Sequence, residues 1–214
     1  MDLIKFLIDF ILHIDTHLGE IIRQYGGATY AILFIIIFLE TGLVFTPFLP
    51  GDSLLFAAGA FASLGDLNIF FLWLLVFLAA VLGDTVNFWI GYHFGQRIIH
   101  DPRFPLDEKH LQKTKEFFDR YGGKTIILAR FVPFARTFAP FVAGVGAMNY
   151  KKFIYYNLSG GFLWTLVGIF SGYFFGNIPF VKENFSLVIF AVILISLLPL
   201  VFEFVKNKIK KTKS

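Results

Sequence analysis

No cysteine occurs in the 214 residues, so disulfides and thiolate metal sites play no part and the redox compartment stays undetermined. Charge is scarce as well: Asp, Glu, Lys and Arg make up 16% of the chain, against about 25% in a soluble domain. No His-Glu-x-x-His run is present, which removes a zincin-type metal centre. The first 25 residues make a poor signal peptide, because Asp2, Lys5 and Asp9 interrupt the apolar run and no small-residue cleavage site follows. What fills the chain instead is apolar: 57% hydrophobic and 19% aromatic residues, with a mean hydropathy of +0.70. Several runs approach or exceed the ~20 residues that span a bilayer. These numbers predict an all-α integral membrane protein.

The few charges are unevenly placed. Basic residues cluster at Arg97, Arg103, Lys109, Lys113, Lys115, Arg120 and Lys124, at Lys151-Lys152, and in a tail with Lys206, Lys208, Lys210, Lys211 and Lys213. Lysines beside membrane spans mark the cytoplasmic face and attract anionic lipid. That reading places the C-terminus in the cytoplasm and leaves no role for nucleic acid.

Along the chain, residues 1–27 space Lys5, Asp9, His13, His17 and Glu20 helically among Leu, Ile and Phe. The pattern predicts an amphipathic helix in the membrane interface. Residues 28–45 are apolar until Glu40; Pro47 and Pro50-Gly51 then break the helix, and Asp52-Ser53 caps a short one ending near Ser63. That second piece is too short to cross, so a re-entrant hairpin over about 28–63 is expected. A span over 67–97 follows, then a polar surface helix over 106–121. A second broken hairpin covers 124–147, interrupted at Pro133 and Arg136-Thr137. Residues 150–176 form another span. Residues 177–214 add a C-terminal transmembrane helix (184–205) and the basic tail.

Two halves repeat. The first long span ends Gly91-Tyr92-His93-Phe94-Gly95 and its counterpart ends Gly172-Tyr173-Phe174-Phe175-Gly176. With the lysine tail inside, the hairpin at 124–147 opens inward and that at 40–63 outward. The architecture expected over 28–176 is therefore an inverted repeat of re-entrant hairpin plus transmembrane helix, a pattern of secondary transporters with a midplane site. The N-terminus lies outside if 28–45 is a hairpin arm and inside if it spans.

Charge inside those hairpins is the functional signal. An ionised side chain at membrane depth costs roughly 2.5–3.5 kcal/mol on insertion scales, yet the chain keeps Glu40, Asp52, Arg130 and Arg136 there. Arg136 precedes a short helix whose free N–H groups, with the Thr137 hydroxyl, favour an anion. Arg130 lies across Pro133, where a hairpin brings it back beside Arg136. Two guanidiniums offer forks suited to phosphate. The expected headgroup ligands are Arg130, Arg136 and Thr137, and the ligand is a phosphate-bearing lipid whose tail stays in the bilayer. Glu40 and Asp52 balance the arginines. Burial favours a neutral carboxyl and a neighbouring arginine an ionised one, so one or both carboxyls are expected to carry a proton during transport. The competing reading makes them permanent salt bridges, or Asp52 a helix cap. Asp84, on the first long span with Asn87, serves as a relay or a polar contact. The glycine stripes are packing faces. An enzyme such as a lipid phosphatase needs a nucleophile or base, and no suitably embedded His accompanies Arg130 and Arg136 and no cysteine exists.

At these motifs the chain resembles the DedA family of bacterial membrane proteins, the VTT or SNARE-associated domain group. The resemblance rests on Glu40-Thr41-Gly42, Pro47-Phe48-Leu49-Pro50-Gly51-Asp52-Ser53, Arg130-Phe131-Val132-Pro133, Arg136-Thr137-Phe138-Ala139-Pro140 and Ala143-Gly144, with Gly83-Asp84 and Gly91…Gly95. It implies two re-entrant hairpins facing each other from opposite leaflets of the bacterial inner membrane, and a role in envelope homeostasis. It also implies translocation of undecaprenyl phosphate or another phospholipid carrier, proton coupling, and functional charges at Glu40, Asp52, Arg130 and Arg136. No cofactor beyond a proton gradient and no metal is implied, and a homo-oligomer is compatible with the pattern. A passive scramblase or a membrane-protein assembly factor is the alternative function.

Overall fold

Glycine and proline cut the apolar sequence into helices of very different lengths. In the computed structural model, residues 14–43, 51–99 and 122–191 (Ser186 and Ile189 aside) are described, and all regular elements among them are helical. They are α1 (Ile14–Tyr25), a 3-10 turn at Gly26–Ala28, α2 (Thr29–Gly42), α3 (Gly51–Ser63), α4 (Ile69–Ile99), α5 (Lys124–Ala129), α6 (Pro133–Val145), α7 (Tyr150–Phe175) and α8 (Pro179–Glu183). The Pro47 and Pro50 linker, the surface helix at 106–121, most of the expected span at 184–205 and the basic tail lie outside the described residues.

Three stretches are long and apolar enough to cross a membrane: Thr16–Gly42, Ile69–Phe94 and Tyr150–Phe175. The first takes in residues 16–27 of the segment 1–27 read from sequence as interfacial, of which residues 1–13 lie outside the described residues. At about 1.5 Å per residue, α4 and α7 reach about 46 and 39 Å, while α3 and α6, with 13 residues each, reach about 20 Å. The hydrocarbon core is about 30 Å thick, so the two short helices cannot cross it alone.

The face of α4 is set by period. Phe70, Leu74, Leu78, Leu82, Val86 and Ile90 are exposed, whereas Leu72, Val76, Ala79, Ala80, Asp84, Asn87 and Phe88 are buried. An exposed apolar stripe beside a buried stripe holding the polar residues is the arrangement a lipid solvent requires.

The described residues fall into two compact units: those within Met1–Gly26, Pro50–Ile69 and Gly168–Ser214, and those within Gly27–Leu49 and Phe70–Val167. In the first, Gly19 of α1 sits against the Phe61 ring of α3. Helix α3 meets the end of α7 backbone to backbone. A Cβ on Gly59 would overlap the Ile169 carbonyl, and one on Gly172 the Phe56 carbonyl. In the second unit α6 meets α4 in the same way, Gly144 on the Phe88 carbonyl and Gly91 on the Phe141 carbonyl. Phe56 and Gly59 thus correspond to Phe141 and Gly144, and Ile169 and Gly172 to Phe88 and Gly91. In each unit a short helix approaches a long one closely through small residues.

Candidate functional site

The break that carries the arginines is dictated locally. Val132 precedes Pro133, which disfavours the helical region for Val132, and Val132 is extended (φ −122°, ψ 112°). Pro133 then opens α6 at the first helical position, where a missing N–H costs nothing. Arg136 donates its backbone N–H to the Val132 carbonyl at 2.9 Å, closing the first turn. Arg130 is left on the α5 side of the break and Arg136 on the α6 side.

Both arginines are buried and both are ion-paired. Arg136, 6% exposed, donates to Oε1 of the fully buried Glu40. Its guanidinium also lies 5.3 Å over the Trp164 ring, within cation–π range. Arg130 pairs with Asp84 at 2.5 Å. The same Nη2 donates to Asn157 Oδ1 and approaches the Ala80 carbonyl at 3.5 Å. Gly160 and Gly161 make room for this side chain. A Cβ on Gly160 would stand 3.1 Å from Arg130 Cδ, and one on Gly161 3.6 Å from its Cζ. Asn157 is itself fixed, its Nδ2 donating to the Val81 carbonyl at 3.0 Å and to Thr85 Oγ1 at 3.3 Å.

A second carboxamide ties the Glu40 side to the Arg136 side. Asn87 Nδ2 donates to the carbonyl of Thr41 at 3.1 Å and to that of Thr137 at 2.7 Å. Thr41 lies in the last turn of α2, whose carbonyls lack helical partners; its hydroxyl bonds back to Ile37 at 2.9 Å. Helix α2 approaches α4 closely enough for this because Gly42 faces Gly83: a Cβ on Gly83 would overlap the Thr41 hydroxyl.

The six sequence candidates are thereby located. Glu40 and Arg136 come together, Asp84 and Arg130 come together, and the Thr137 backbone is held beside the first pair. Asp52 belongs to the other unit, half-buried in the first turn of α3. The guanidiniums expected to share one anion each hold a different carboxylate. Asn157 and the Arg136–Trp164 contact were not foreseen; a lone amide in an apolar span was the available signal for Asn157. The cluster holds two arginines and two carboxylates, a balanced set when both carboxyls are ionised. Among the described residues no group of three or more His, Cys, Asp or Glu could hold a metal ion.

The VTT domain family matches residues 49–174, a stretch that includes Asp84, Asn87, Arg130, Arg136, Asn157 and Trp164. Protein DedA of Escherichia coli K12 is 55% identical over 211 residues, covering 97% of this chain and 96% of that protein. An uncharacterized membrane protein of Mycobacterium leprae is 40% identical over 176 residues, 82% of this chain and 79% of its own. The inner membrane protein YqjA of Escherichia coli K12 is 34% identical over 154 residues, 72% and 70% of the two chains. No solved structure matches. With the domain matched over more than half its length and DedA matched almost end to end, this chain belongs to the DedA family of membrane proteins.

Proposed function

We propose that the chain is a carrier, not an enzyme, and that it moves a lipid-linked phosphate such as undecaprenyl phosphate or a phospholipid across the bacterial inner membrane. The observation that carries the reading is the pair of buried arginine–carboxylate contacts, Arg136–Glu40 and Arg130–Asp84, inside an apolar helical core. A membrane protein retains such charges for function at a cost in insertion energy. Because the set is balanced, an anion gains a guanidinium only as a carboxylate gives it up. A carboxyl released from its arginine inside a low-dielectric site favours its neutral form. Phosphate entry and proton uptake are then one event. Glu40 and Arg136 form the exchangeable pair, with the Arg136 fork as headgroup ligand. Arg130, tied to Asp84, Asn157 and the Ala80 carbonyl, is the fixed second cation, and Asp84, read from sequence as a relay or a polar contact, is its partner. Asp52, in the first turn of α3, keeps the proton-coupling role carried from the family resemblance.

The repeated packing of α3 on α7 and α6 on α4 supports two equivalent hairpin units, and the distribution of lysines supports their opposite orientation with a cytoplasmic C-terminus. YqjA is an inner membrane protein by name, which supports the location. The test is headgroup translocation of undecaprenyl phosphate in proteoliposomes, wild type against a folded Arg136→Ala variant, with and without a pH gradient. Gradient-dependent flux lost in the variant is the expected result. Equal flux in both removes Arg136 from the site; flux indifferent to the gradient makes the protein a passive scramblase.

A further inference from the structure

Asn87 carries more than the clasp already described. Its amide orientation is fixed by its partners: both contacts are carbonyl oxygens, so the nitrogen faces them and Oδ1 faces away. Those carbonyls belong to the residues that follow Glu40 and Arg136, so the side chain is registered to that pair. Asn87 is fully buried, and its Oδ1 has no hydrogen-bond partner among the described residues. A buried amide oxygen left unmatched is costly, and a site whose function requires a donor accounts for it. The cluster already supplies arginine donors and carboxylate acceptors. Its uncharged acceptors Asn157 Oδ1 and the Ala80 carbonyl are taken by Arg130, whereas Asn87 Oδ1 is an acceptor that carries no charge, cannot repel an anion and has no partner among the described residues.

We propose that Asn87 is a specificity-determining residue whose Oδ1 accepts the hydrogen of a phosphate hydroxyl while Arg136 binds the phosphoryl oxygens. This rests on the anion site proposed above and narrows its ligand class. A phosphomonoester monoanion has a P–OH to donate; a phosphodiester headgroup has none. A carboxylate in the same place would take that proton outright or repel the anion, whereas an amide oxygen only accepts the hydrogen bond. The site therefore selects singly protonated monoesters over diesters.

The test uses the full-length chain in detergent micelles, with farnesyl phosphate and its O-methyl diester as probes in equilibrium binding from pH 5 to 8. The wild type is expected to bind the monoester about tenfold tighter than the diester at low pH. That preference is expected to shrink as pH rises through the second ionisation of the phosphate, near pKa about 6. The charged groups nearest in the framework are Glu40 and Arg136, each one residue before a carbonyl that Asn87 binds, Asp84 on the same helix, and Arg130, which pairs with Asp84. Any titration among them acts on both probes, so the ratio isolates the proton on phosphate. In Asn87→Leu the ratio is expected to fall to about one at every pH, binding of both probes still depending on Arg136. The wild-type profile decides the matter even if that variant does not fold. Equal binding of the two probes by wild type, or a ratio unchanged in Asn87→Leu, overturns the role of Asn87 and leaves the anion site standing. Binding of neither probe, or binding indifferent to Arg136→Ala, overturns both.

Discussion

Replacing Asp84 by alanine removes the carboxylate from a guanidinium that is 3% exposed. Breaking a buried ion pair from one side costs about 3–5 kcal/mol, because the remaining charge stays behind uncompensated. Here Arg130 keeps Asn157 Oδ1 and the Ala80 carbonyl as neutral acceptors, so the loss belongs at the lower end, about 3 kcal/mol. Asn157→Ala removes one neutral acceptor of the charged group and the anchors to Val81 and Thr85; about 2 kcal/mol is expected. Replacing the pair together, Asp84→Leu with Arg130→Met, leaves no orphan charge and is expected to recover to within about 1 kcal/mol of wild type. Reversible unfolding in mixed detergent micelles, read as a double-mutant cycle, gives the three values. A loss below about 1 kcal/mol for Asp84→Ala would refute the buried pair, and so would a double variant less stable than either single one.

Three further outcomes follow from the same geometry. Gly59→Ala and Gly144→Ala should each destabilise by about 1–3 kcal/mol in the same unfolding assay, since each new methyl meets a backbone carbonyl; Gly27→Ala, with nothing within 4 Å, should be neutral. Asn149 Oδ1 accepts the N–H groups of Lys151 and Lys152 at 2.9 and 3.4 Å. It thus caps the start of α7, so Asn149→Ala should cost about 1 kcal/mol, measured by thermal unfolding. Trp164→Leu removes the ring beneath Arg136 and should weaken farnesyl phosphate binding, with Trp164→Phe closer to wild type; equal affinity in all three removes the cation–π contact from the account.

The helices were legible because their signals are local. Pro133 and the pre-proline Val132 announce the break between α5 and α6. The apolar runs announce α4 and α7. The Gly91 and Gly172 stripes announce close packing. Glu40 and Arg136 stood out as charges in apolar sequence, and they meet across 96 positions of the chain. Which carboxylate takes which arginine was not legible, because that depends on how Gly42 and Gly83 set α2 against α4 and on the room left by Gly160 and Gly161. Asp84 was open from sequence between a relay and a polar contact, and its pairing with Arg130 depends on the long-range approach of Arg130, which also binds Asn157. A single asparagine in a run of apolar and small residues gives no sign of its partner.

The central claim is that phosphate displaces Glu40 from Arg136 and that Glu40 then takes a proton. Infrared difference spectra of the full-length chain, with and without farnesyl phosphate, test it directly. The account predicts a protonated-carboxyl band that grows on ligand addition and is missing in Glu40→Gln. A ligand that binds without that band, or a band unchanged in Glu40→Gln, contradicts it.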